Sequence, residues 1–176
     1  MDSKSNEITA IPALLDQLSV KNSIVTLDAM GCQTAIAQKI IDREADYLLA
    51  LKKNHRQAHQ AVADHFDQAC FDRAAPGRAV LDEFDDGHGR LVRRRVFVST
   101  EAAGLEALGC WPGLHAVLAV ETIRSVNGSA RTVAELRYFL TSGHDAPEVL
   151  AKAIRKHWAI ENNLLHRRRR VIHRLG

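Results

Sequence analysis

The strand–helix–strand pattern of residues 23–51 constrains this chain more than any other feature. Ser23-Ile24-Val25-Thr26-Leu27 is a short β-branched run that ends at Asp28, and Asp46-Tyr47-Leu48-Leu49-Ala50-Leu51 is a second apolar run. Between them Met30-Gly31 makes a break, and Thr34 is placed to cap a helix reaching about Glu44. Two buried strands joined by one helix of this length form a βαβ unit, with parallel strands and a right-handed crossover.

The flanking segments read as follows. Ile8, Ile11, Leu14, Leu15 and Leu18 make a helical stripe before the first strand. His55 to Cys70 reads as a helix ended by Pro76-Gly77, and Val80–Phe84 and Leu91–Val98 form an antiparallel hairpin about Gly87-His88-Gly89. His115–Ile123 and Thr132–Thr141 form a second antiparallel pair about Asn127-Gly128. A last helix begins at Pro147, with Asp145 a candidate cap, and runs to Leu164 or Leu165. The fold class expected is α/β.

Composition excludes several classes. At 176 residues, 46% apolar and 26% charged, the chain can bury a real core. No run approaches the ~18 apolar residues of a membrane span, and MDSKSNEITA lacks the pattern of a secretory signal, so no membrane partner and a cytoplasmic location are expected. Cys32, Cys70 and Cys110 show neither CxxC nor zinc spacing and read as plain thiols. The net charge of +3 is misleading. Residues 165–176 carry five arginines and no acid, and without them the formal charge falls to −2. That tail is either a phosphate-binding arm or a disordered end.

Two carboxylates stand in unusual places. Asp28 sits at the C-terminal end of a parallel strand, where ligand sites of open α/β sheets collect, although it could equally be a turn-forming residue that caps the next helix. On the last helix Leu150, Ile154, His157, Glu161 and Leu164 share one face, while Lys152, Arg155, Lys156 and Asn163 share the other. Glu161 therefore lies along the apolar stripe, where a carboxylate needs a cation, a hydrogen bond or a metal. A pair with His157 or a local arginine is the simpler alternative. An Asp on a strand tip and a Glu on a helix over the same sheet can share a hard cation such as Mg²⁺.

The stretch KSNEITAIPALLDQL…IVTLDAMGCQTAIAQKIIDREADYLLALKKN, followed by GHGR at 87–90 and RKHWAIEN at 155–162, resembles the ISAs-type, H-repeat-associated group of bacterial insertion-sequence transposases. The resemblance runs from about Lys4 to Leu164. It implies a DDE transposase with a ribonuclease-H-like core, which cleaves and joins DNA with two Mg²⁺ ions held by three carboxylates. By position Asp28 is the second acid and Glu161 the glutamate, both catalytic and metal-binding. His157, Trp158 and Asn162 belong to the same block as Glu161 and are expected to be DNA-binding. Lys52, Lys53, Arg90 and Arg155 are the DNA contacts expected beside them.

The chain departs from that pattern at both ends. The first acid of the family lies in an AIDGK-like segment upstream of MDSKSNE, and its leading strands lie there too. The fold expected is therefore an incomplete ribonuclease-H-like core with an antiparallel β insertion. Residues 1–54 would be partial core, 55–141 a helix plus the insertion, 142–166 the core helix carrying Glu161, and 167–176 a basic, disordered tail. Arg167-Arg168-Arg169-Arg170 replaces the Trp and acids of the family, as after a frameshift. His55 and Val92 stand where the family usually has Gln and an acid. The expectation is a fragment of a transposase, nucleoid-associated, inactive itself and weak in Mg²⁺ binding, able to pair with an intact copy. The alternative is a non-catalytic nucleic-acid-binding module that uses the Arg90–Arg95 strand and the arginine tail.

Overall fold

The structure is a computed structural model. It describes the backbone of residues 3–70, 80–87, 90–126 and 132–172, and the side chains of residues 9–67, 81–84, 92–124 and 134–160. Helix α1 spans Ser3–Gln17, strand β1 Ile24–Leu27, helix α2 Thr34–Asp42 and strand β2 Asp46–Leu51. Helix α3 (Arg56–Cys70) leads to strands β3 (Val80–Gly87) and β4 (Arg90–Ser99). Two short 3₁₀ turns precede β5 (Ala116–Val126) and β6 (Thr132–Thr141), and helix α4 spans Pro147–Ile172.

The βαβ unit forms as the sequence predicts. β1 and β2 are parallel, with Ile24 opposite Asp46 and Leu27 opposite Leu49. β2 is apolar on both faces because both faces are covered, the usual state of a parallel strand. Tyr47, Leu49 and Leu51 pack with α2, α3 and Trp111 on one side, while Leu48 packs with Leu150 and Ile154 of α4 on the other.

The antiparallel strands continue this same sheet. β6 pairs with the free edge of β2, Leu49 lying opposite Leu140, and the strand order is β1-β2-β6-β5-β4-β3. The segment expected as an insertion thus shares its backbone hydrogen bonding with the parallel pair. At one edge of the sheet β3 carries Asp82, Glu83, Asp85 and Asp86, charges that discourage edge-to-edge pairing. β1, at the other edge, carries none.

Local details differ from expectation for identifiable reasons. Thr34 is the first helical residue of α2. Gln33 holds the capping position in an extended conformation and makes no side-chain cap bond. In α1 only part of the stripe is used: Leu15 is buried and Ile11 packs against the core, but Leu14 and Leu18 are exposed. Pro147 begins α4, as suits its fixed φ and missing N–H. α4 overruns the end expected near Leu165 and takes in Arg167–Arg170, consistent with the good helix propensity of arginine. Residues 88–89 and 127–131, where two turns are expected, and residues 71–79, which hold Pro76-Gly77, lie outside the described residues.

Gly31 fits a crowded corner after β1. A Cβ there would lie 2.9 Å from Leu27 Cβ, so something must shift. Gly31→Ala is expected to destabilise the fold by about 1–3 kcal/mol, as overpacking does. A thermal melt checks this, and an unchanged midpoint would show that the corner yields freely.

A histidine pair lies near the start of β2. The His115 and His144 rings stack with centroids 3.6 Å apart. Burial, and after it the neighbouring His144, hold the His115 pKa below its ordinary 6.5, while Asp46 pulls it upward. The unfolded chain then takes up a proton that the folded chain resists, so stability should fall as the pH drops below about 6.5. Melting midpoints are expected to decline between about pH 7 and pH 5.5, and less so in His144→Gln. Identical profiles for the two proteins would remove the pair from the account.

Candidate active-site cleft at the ends of the parallel strands

β2 ends at Leu51 opposite Tyr138, whereas β6 begins at Thr132. Thr132–Arg137 therefore overhang the end of β2. The overhang, α4 and the loops after β1 and β2 enclose a cleft of about 540 Å³. Asp28 lines it from the end of β1, Lys52 and Lys53 from the end of β2, and His157 and Trp158 from α4. Five residues singled out in the sequence, from three distant segments, thus meet at the C-terminal ends of parallel strands. A smaller apolar pocket of about 200 Å³ lies among Phe66, Phe97, Ala119 and Leu136, and contains none of the predicted site residues.

Asp28 forms a turn after β1 but does not cap α2, whose capping position is Gln33. Asp28 Oδ1 accepts hydrogen bonds from the backbone N–H groups of Met30 (3.0 Å) and Gly31 (3.3 Å), a tight turn of the kind Asp favours. The carboxylate also lines the cleft. The turn is clamped to the next loop. Asn54 Nδ2 donates to Ala29 O at 3.1 Å, and His55 Nε2 donates to Cys32 O at 2.6 Å, since a carbonyl can only accept. His55, expected to bear on DNA contacts, is thus a structural link between the loops. Cys32 is fully buried, and burial, aided by the charge of Asp28, pushes its pKa up to about 12. It is an inert core thiol, as read from the sequence.

α4 is tied to β1 by a hydrogen bond between Thr26 Oγ1 and His157 Nδ1, at 3.1 Å. Trp158 packs beside Phe139 of β6, ring centroids 6.2 Å apart. Glu161 and Asn162 follow on the next turn of α4, and their side chains lie outside the described residues, as does that of Arg90. Arg155 does not line the cleft. Its guanidinium pairs with Glu83 of β3, away from the cleft in which the phosphate contacts are expected. On β4, Arg93 pairs with Asp82 at 2.5 Å and Arg95 with Glu121.

Sequence reasoning missed Thr26, His59, Arg137 and the Asn54–His55 clamp. His59 lines the cleft edge-on to Tyr138, at 5.2 Å, and burial together with Lys53 lowers its pKa, which keeps it neutral near pH 7. No spacing marks these residues, because contacts between segments remote in sequence decide their partners.

For a divalent cation the chemistry of Asp28 is suitable. It is a hard oxygen donor, and Oδ2 carries no hydrogen bond among the described residues. Among the described residues no cluster of three or more His, Cys, Asp or Glu could hold a metal by itself. No helix among them is long and apolar enough to cross a membrane.

The chain is similar to known transposases. The family model described as "Transposase DDE domain" matches residues 2–170. The "Putative transposase YncI" of Escherichia coli O157:H7 is 39% identical over 168 residues, covering 93% of this chain and 42% of the relative. The "H repeat-associated putative transposase YhhI" of Escherichia coli K12 is 34% identical over 166 residues, covering 93% and 43%. An uncharacterised protein of Xanthobacter autotrophicus, from the dhlA 3′ region, is 40% identical over 142 residues, covering 81% and 46%. The chain spans less than half the length of these relatives. No solved structure matches. The strand-tip aspartate, the His-Trp helix beside it and a family match over nearly the whole sequence lead to one conclusion: the chain belongs to the DDE-domain transposase family.

Proposed function

We propose that this chain supplies part of the catalytic domain of an insertion-sequence transposase, with a ribonuclease-H-like core, acting on DNA. The observation that carries the reading is the meeting of Asp28, Lys52 and Lys53 with His157 and Trp158 in one cleft. Asp28 and Glu161 are the acids that would hold Mg²⁺. Glu161 comes four residues after His157, the spacing that places two residues on one helix face. The bond from Thr26 to His157 registers that helix against the strand that ends in Asp28. When bound, the metal would supply Lewis-acid activation of the attacking and leaving oxygens.

The protein groups have simpler tasks. Lys52 and Lys53 neutralise backbone phosphates, and Trp158 offers an apolar wall. Asp28 and Glu161 are two of the three acids that the resemblance implies.

Fluorescence anisotropy with a labelled DNA duplex tests the reading. The wild type should bind with a strong salt dependence. Replacing Lys52 and Lys53 by alanine should lower the affinity and reduce the salt slope by about 2. Absence of salt-dependent binding by the wild type would end the proposal.

A further inference from the structure

We infer that Arg137 of β6 is a phosphate-holding residue of the cleft, aimed by Glu135 and Trp158, and that its ligand is a phosphodiester of DNA. The inference rests on the DNA reading above and deepens it. Arg137 lines the same cleft as Asp28, Lys52 and Lys53. In continued register with Leu51 and Tyr138 it falls opposite Lys52, so two cations flank the end of β2. No motif in the sequence marks it.

Its guanidinium is held on two sides. Nε and Nη2 each lie 2.8 Å from Glu135 Oε1, and Cζ lies 5.0 Å from the centroid of the Trp158 ring. Nη1 has no partner among the described residues. The side chain is 40% exposed, so a ligand in the cleft can reach it.

A surface ion pair between residues two apart on one strand contributes little to stability, so pairing with Glu135 explains the geometry only in part. Arginine fixed by a carboxylate and an aromatic face has already lost most of its side-chain freedom. It can then present its remaining N–H groups to a phosphate oxygen at low entropic cost. Glu135 would not be stranded if Arg137 turned partly to a ligand, because Arg124 Nη1 lies 3.7 Å from its Oε2. Lysine could match the charge but neither the stacking nor the fork.

The test uses the full chain, a fluorescein-labelled DNA duplex, a salt titration and tryptophan emission, with Trp158→Phe as the blank for the buried Trp111. Arg137→Ala should bind about tenfold more weakly, with a salt slope smaller by about 1. Arg137→Lys should keep the salt slope, bind several-fold more weakly, and lose the change in Trp158 emission that DNA causes in the wild type. If Arg137→Ala fails to fold, the lysine variant carries the test alone. Wild-type affinity and emission response in Arg137→Lys, and an unchanged slope in a folded Arg137→Ala, would overturn the inference. The DNA reading would then survive provided that the Lys52, Lys53 double variant is weakened. A wild type that does not bind DNA would overturn both.

Discussion

Leu140→Ala is expected to lower stability by about 3–4 kcal/mol, within the range for emptying a packed leucine site. For a chain of this size that corresponds to a fall in melting midpoint of roughly 10 °C. Leu140 is fully buried in β6, with Leu49 of β2 opposite on one side and Val117 of β5 opposite on the other. It therefore sits where the parallel pair joins the antiparallel strands, beneath the helices of the α3 side. The neighbours belong to sheet backbone and cannot easily collapse into the cavity. Leu136 of the same strand is 41% exposed and serves as control. Leu136→Ala should cost under about 1 kcal/mol, as surface changes usually do. Comparable losses in the two variants would mean that the β2–β6 seam is not the core of the fold.

The second large effect concerns Asp28, whose two roles can be separated. Asp28→Asn keeps a side-chain oxygen that accepts from the Met30 and Gly31 N–H groups, yet removes the charge a cation needs. Asp28→Ala removes both. In the absence of metal, the asparagine variant should melt close to wild type, and the alanine variant should lose about 1–2 kcal/mol with the turn. With Mg²⁺ at about ten times its dissociation constant, the wild type should gain about 1.4 kcal/mol, because the ion binds the folded state alone. Neither variant should gain it. Mg²⁺ protection that persists in Asp28→Asn would place the metal elsewhere, and Asp28 would then be a turn residue only.

The βαβ unit was legible because its apolar runs, break and helix follow one another within thirty residues, and local periodicity reports local structure. The antiparallel strands were legible for the same reason. Their junction was not. Nothing in Leu48–Leu51 or Tyr138–Thr141 says that these segments pair, since many strand pairings satisfy the same alternation of apolar residues. The start of α2 and the exposed half of the α1 stripe depart from the local pattern because tertiary neighbours decide which local option is used. At the site, Asp28, Lys52, Lys53, His157 and Trp158 could be named from motifs, but Arg155 could not be assigned to Glu83, nor Arg137 to the cleft. Both depend on contacts between segments remote in sequence.

The amino-acid sequence by itself determined the strand–helix–strand unit, the family and the strand-tip aspartate, because each is carried by neighbouring residues and their spacing. Only the tertiary structure decided that β6 extends the parallel pair and overhangs it. That overhang helps to build the cleft and turns Arg137 into it. Strand pairing is a choice among long-range partners, settled by the burial of both faces of β2 rather than by any local preference.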